Sequence, residues 1–125
     1  MPFSGLKLHA DLLKGVRELG FTRPTPNQLD AIPPGIEGRD ILASAMTCSG
    51  KTVAFLLPIL NQLMTRDRRT TRALVLTPTR ELAAQILEEL NDLAVHTPIT
   101  AAAVFGGHAG RNHLDLLNRV GRRHA

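Results

Sequence analysis

An α/β fold, with a parallel sheet covered by helices on both faces, is predicted by two observations. Three short, continuous apolar runs at 41–45, 73–77 and 99–105 alternate with stretches of helical periodicity. The first run leads into Ser49-Gly50-Lys51-Thr52, the close of a phosphate-binding loop, a signal that gains force when a strand precedes it and a helix follows.

The elements follow in chain order. Leu8, Leu12, Leu13, Val16 and Leu19 recur at helical spacing until Gly20, which predicts a first amphipathic helix. Pro24 and Pro26 bias the residues before them away from helix, so residues 21–26 are expected to be extended, with a second helix starting near Pro26 and ending near Pro33-Pro34-Gly35. Ile41–Ala45 reads as a buried strand, and Lys51–Met64 as a helix that Pro58 can kink. Ala73–Thr77 is the second expected strand. Arg80–Val95 is a helix with Leu82, Ile86, Leu90 and Leu93 along one side, and Ile99–Phe105 is the third strand before Gly106-Gly107.

The chain has 125 residues, of which 43% are hydrophobic and 21% charged, the composition of one small globular domain. Fifteen Lys and Arg against eleven Asp and Glu give a net charge of +4, compatible with a polyanion such as RNA. The arginines cluster at 66–72 and again at 111–123, where a solvated loop or tail is the simpler reading. A single cysteine excludes an internal disulfide, no signal segment is evident at the N-terminus, and no apolar run approaches membrane-spanning length, so a cytoplasmic protein with no membrane role is expected. The five histidines follow no metal-ligand spacing.

The loop carries the chemistry. Thr47, Cys48, Ser49 and Gly50 would bring backbone N–H groups to phosphates, Lys51 offers a point charge to the outer phosphates, and the Thr52 hydroxyl is a candidate magnesium ligand. A nucleotide with Mg2+ is therefore the expected ligand, and the family resemblance given below implies that the nucleotide is ATP. Cys48 stands where such loops usually carry glycine; if that position needs a positive φ, a side chain there costs on the order of 1 kcal/mol and weakens nucleotide binding.

Phe3 followed by Gly20-Phe21-Thr22-Arg23-Pro24-Thr25-Pro26-Asn27-Gln28 resembles the Q motif of DEAD-box RNA helicases. Ala45 to Thr52 resembles the family's motif I, Pro78-Thr79-Arg80-Glu81-Leu82-Ala83 its motif Ia, and Gly106-Gly107 its GG element. The resemblance implies a RecA-like (P-loop NTPase) domain, here truncated, over 1–107, followed by an arginine-rich helix or tail at 108–125 that does not match. It further implies that Gln28 reads adenine, that Phe3 stacks on the base and that the Arg23 carbonyl accepts from its amino group. Thr79, Arg80, Gly106 and Gly107 would touch an RNA backbone weakly and without reading its sequence. Asn27 departs from the family's usual isoleucine. No Asp-Glu-Ala-Asp, Ser-Ala-Thr or Thr-Pro-Gly-Arg occurs, so no complete catalytic set is expected, and ATP or ADP binding without unwinding is the implied behaviour. The match of residues 118–122 to the start of the family's motif VI is most simply chance in an arginine-rich tail. The rival reading is a non-catalytic nucleotide- or RNA-binding or self-assembling module, and a three-stranded sheet with open edges would favour a homodimer.

Overall fold

The computed structural model describes residues 2–44, 50–65 and 70–104. After a single 3-10 turn at Phe3–Leu6 come four helices: α1 (Ala10–Glu18), α2 (Pro26–Ile36), α3 (Lys51–Leu63) and α4 (Arg80–Leu93).

Three of the four helices begin where the sequence supplies a side-chain cap. The ring Nδ1 of His9 accepts the Asp11 N–H at 3.1 Å to open α1. Thr25 opens α2 with Pro26 in its first turn, and Thr79 opens α4 by accepting the Leu82 N–H at 3.1 Å. Two helices close alike. Gly20 (φ 84°) ends α1, where the Phe21 N–H donates to the Val16 carbonyl and the Gly20 N–H to that of Arg17. Gly38 (φ 84°) ends α2, with Arg39 donating to Pro34 and Gly38 to Gly35. Both are the glycine-closed hairpin of hydrogen bonds that satisfies the last helical carbonyls.

α2 ends at Ile36, one residue past the Pro33-Pro34-Gly35 segment where its end is expected. A proline in the last turn forfeits its own N–H bond but leaves the turns before it intact, so both prolines sit within that turn. At α3 and α4 the observed ends, Leu63 and Leu93, lie one and two residues before those expected.

The core is helix on helix. Leu12 and Val16 of α1, Ile32 of α2, Val53, Leu56, Leu57 and Leu60 of α3, and Ile86 and Leu93 of α4 are buried with Phe3, Leu6 and Leu8. α3 is the central element and packs most extensively on α2. At that crossing a Cβ on Gly35 would come within 2.8 Å of the Pro58 ring, and the Gln62 amide donates to the Gly35 carbonyl at 3.1 Å. At the α1–α4 crossing a Cβ on Gly15 would lie 2.6 Å from the Leu93 carbonyl oxygen. His96, just past α4, pairs with Glu18 of α1 at 2.7 Å.

The three expected strands are absent among the described residues: 41–44, 73–77 and 99–104 are irregular backbone. Leu42 is fully exposed, and Leu74 and Leu76 are 80% and 84% exposed, whereas Ile99 packs against the core. A helix satisfies its N–H and C=O groups within its own segment; a strand needs a ladder partner, and an apolar run without one is not a strand. The sheet and the open edges on which the homodimer expectation rests are therefore missing from the described residues. No described helix is long and apolar enough to cross a membrane.

Candidate functional site

The N-termini of α2 and α3 meet through one side chain. Gln28, the third residue of α2, is 2% exposed, the one buried polar residue in the described core. Its Oε1 accepts the Thr25 N–H at 2.9 Å, while the Thr25 Oγ1 accepts the Gln28 N–H at 3.3 Å; together they form a reciprocal capping box. Its Nε2 donates to the Gly50 carbonyl at 3.2 Å, tying this cap to the residue that opens α3.

These partners fix which way round the amide sits, because the end facing a backbone N–H must be the oxygen. A primary amide has two lone pairs and two N–H groups; Thr25 takes one of the former and Gly50 one of the latter. What remains is one acceptor beside one donor.

Gly50 has φ 83°, and a Cβ there would stand 2.8 Å from Gln28 Nε2 and 3.2 Å from the Thr25 side chain. Glycine is thus required both by the backbone and by the close approach of α2. α3 begins with no side-chain cap and no acidic residue in its first turn, and its first residue is the exposed Lys51. A cation at the positive end of a helix opposes the dipole, and the first N–H groups have no side-chain acceptor; both features suit an anion held at that end.

Thr52 is half-buried in the first turn of α3. Burial raises the pKa of Glu89, the Thr52 hydrogen bond opposes that rise, and the nearby Asp92 charge adds to it. Among the described residues no three His, Cys, Asp or Glu side chains are grouped to hold a metal ion. A magnesium ion would therefore share its ligands with phosphate oxygens, which fits a lone Thr52 hydroxyl as the protein donor.

The other expected site residues fall as follows. Phe3 is a buried core residue, its ring 6.5 Å from that of Phe21 and tilted 44° to it. Arg23 is exposed two residues before the capping box. Asn27 lines an open groove of about 1110 Å³ between α2, α3 and residues 41–44, with Lys51 at its wall. Thr79 spends its side chain on capping α4, and Arg80 is the exposed first residue of that helix. Thr47, Cys48, Ser49, Gly106, Gly107 and all of 108–125 lie outside the described residues. Sequence reasoning missed Thr25, whose Thr-x-x-Gln spacing to Gln28 is a capping-box signature.

Comparison with known proteins places the chain in a family. A family model for the DEAD/DEAH box helicase matches residues 25–123. The ATP-dependent RNA helicase SrmB of Escherichia coli is 46% identical over 119 residues, covering 93% of this chain and 27% of that protein. Among solved structures, the RNA helicase Prp28 from Chaetomium thermophilum bound to ADP superposes with a TM-score of 0.83 at 35% identity, over 97% of this chain and 30% of that one. A DEAD box protein from Methanococcus jannaschii gives 0.85 at 34% identity, over 94% and 32%. The chain thus spans about a quarter to a third of the length of these relatives. The likeness supports the α/β class, while the sheet itself is not present in the described residues.

Proposed function

The chain belongs to the DEAD/DEAH box helicase family, and from that premise we propose that it is the nucleotide-holding part of an ATP-dependent RNA helicase, with its adenine site at the Gln28 amide and its phosphate site at the start of α3. The observation that carries this reading is the state of Gln28. The acceptor and donor left over from Thr25 and Gly50 complement adenine, which presents an amino donor beside the N7 acceptor, and mismatch guanine, which presents two acceptors there. Since Gln28 is 2% exposed, a base reaches it only as its cover moves aside.

Lys51 and the uncapped first turn of α3 would hold the phosphates, together with Thr47, Cys48 and Ser49. Thr52 would be the protein ligand of magnesium. A bound Mg2+ supplies charge neutralisation of the phosphate oxygens. Arg80 and the N-terminus of α4, with Gly106 and Gly107, form the proposed contact to an RNA backbone.

The residues of this chain hold and orient a nucleotide, and among the described residues none is placed to activate water. Binding without turnover is the expected behaviour. The test is a titration with fluorescent ADP competed by ATP or GTP, beside an ATPase assay with and without RNA. Preference for ATP over GTP, lost when Gln28 is changed, supports the reading; equal competition sinks it. Hydrolysis abolished by Lys51→Ala would replace the binding-only reading with an active enzyme. Exposed Leu42, Leu74 and Leu76 favour self-association as a secondary property of the chain.

A further inference from the structure

α3 is apolar on two sides, and the described residues cover one of them. Val53, Leu56, Leu57 and Leu60 face the core, while Ala54, Phe55, Pro58 and Ile59 form a second stripe that opens into the groove of about 1110 Å³ walled by α2 and residues 41–44. A helix that is apolar all round is normally enclosed. On this side Phe55 and Ile41 stay exposed, and Leu42 is fully so.

The same chain carries a segment without a seat. Residues 73–77 hold no charge and lie outside the lining of the groove. Among the described residues neither they nor 41–44 make a backbone-to-backbone hydrogen bond. Leu74 and Leu76, two positions apart and so on one side of an extended segment, are the strongly exposed pair, and Val75 between them is much less so.

Three features match segment to groove. The extended residues 73–77 span about 17 Å, and the 13 residues of α3 about 20 Å. The groove is electrically balanced, with Glu37 paired to Arg39 at 3.2 Å and Asp30 opposite in sign to Lys51, which suits an uncharged occupant. Residues 41–44 offer backbone donors and acceptors in one wall, which an extended segment can take up as a sheet edge takes a strand.

We propose that the occupant is a second copy of this chain: residues 73–77 of each copy lie in the α3 groove of the other, with Leu74 and Leu76 against the Phe55 stripe, in a reciprocal exchange that closes as a two-fold dimer. Each chain brings one segment and one seat, so two copies leave neither vacant. The inference rests on the reading that the chain self-associates, to which it gives a site, and it is independent of the nucleotide reading.

The test is sedimentation equilibrium of the full chain from low micromolar to near-millimolar concentration, beside two variants changed at exposed side chains. Leu74→Gln with Leu76→Gln removes the segment, and Leu42→Gln with Phe55→Gln removes the groove. Far-UV circular dichroism checks that both stay folded, and Leu42→Gln alone, at a fully exposed residue, repeats the groove arm if the double change disturbs α3. The parent is expected to dimerise, and each double variant alone to do so at least about 100-fold more weakly, since each seat loses two buried apolar side chains. Mixed, the two should form a heterodimer, because the segment of one and the groove of the other are intact. The amides of 73–77 should exchange quickly in the dilute monomer and slowly in the dimer. A dimer that survives either double variant, or a mixture that stays monomeric, would overturn the exchange while leaving self-association standing. Growth beyond the dimer would overturn its closure. A parent that is monomeric throughout removes self-association and this proposal together.

Discussion

Replacing Gln28 by alanine tests the joint between α2 and α3. The substitution removes the acceptor of the Thr25 N–H at 2.9 Å and the donor to the Gly50 carbonyl at 3.2 Å, each worth roughly 1 kcal/mol. It also empties the space of a side chain that is 2% exposed, and the one methylene lost with the carboxamide adds up to about 0.8 kcal/mol. The expected loss is about 2–3 kcal/mol, which for a chain of this size is a fall of roughly 10 °C in Tm. Thermal unfolding followed by far-UV circular dichroism measures it. Gln28→Glu refines the test, because it keeps an acceptor for Thr25 but sets a carboxylate oxygen against the Gly50 carbonyl. A Tm within about 2 °C of the parent for Gln28→Ala would show that the amide is not held as described, and the argument for adenine selection would go with it.

Three further outcomes are expected. Gly15→Ala should destabilise by about 1–3 kcal/mol, because its Cβ would stand 2.6 Å from the Leu93 carbonyl and push α1 off α4; an unchanged urea midpoint would contradict that crossing. Glu89 has its pKa raised above the ordinary 4.5, so the folded chain holds more protons than the unfolded one from there up to the raised value. Its contribution is present at low pH and lost as pH rises across that window, so Glu89→Gln should gain stability relative to the parent between pH 4 and pH 7. A constant stability difference between the two proteins at both pH values would refute this. Cys48→Gly should tighten ADP binding if the side chain crowds the phosphates, and no gain in affinity would dismiss that explanation.

How much was legible in the sequence depended on how local each signal was. Gly20, Thr25-Pro26, Gly50 and Thr79-Arg80 mark helix ends in the structure as they do in the sequence, because a cap is made by residues within a few positions of the helix it serves. Residues 41–44 and 73–77 carry strand-like composition yet lie exposed, because a ladder is completed by segments elsewhere. Pro33 and Pro34 sit in the last turn of α2 and mark its end to within a few residues, since the turns before them do not depend on their donors. In the site, Gln28 and the Gly50-Lys51-Thr52 run could be read from motif resemblance, but the direct Gln28–Gly50 bond spans 22 residues and needed coordinates.

The irregular, solvent-facing stretch around Leu74 and Leu76 joins α4 to the rest of the molecule in sequence, but α4 is held by other means: the Gly15–Leu93 crossing, the His96–Glu18 pair and the burial of Ile86 and Leu93 in the core. A protease that nicks 72–76 should therefore yield two pieces that elute together from a sizing column and part only in denaturant. By the same logic the amides of 73–77 should exchange with deuterium quickly while those in the middle of α3 stay protected, so that the connection between the halves is the part of the chain that contributes least to holding them together.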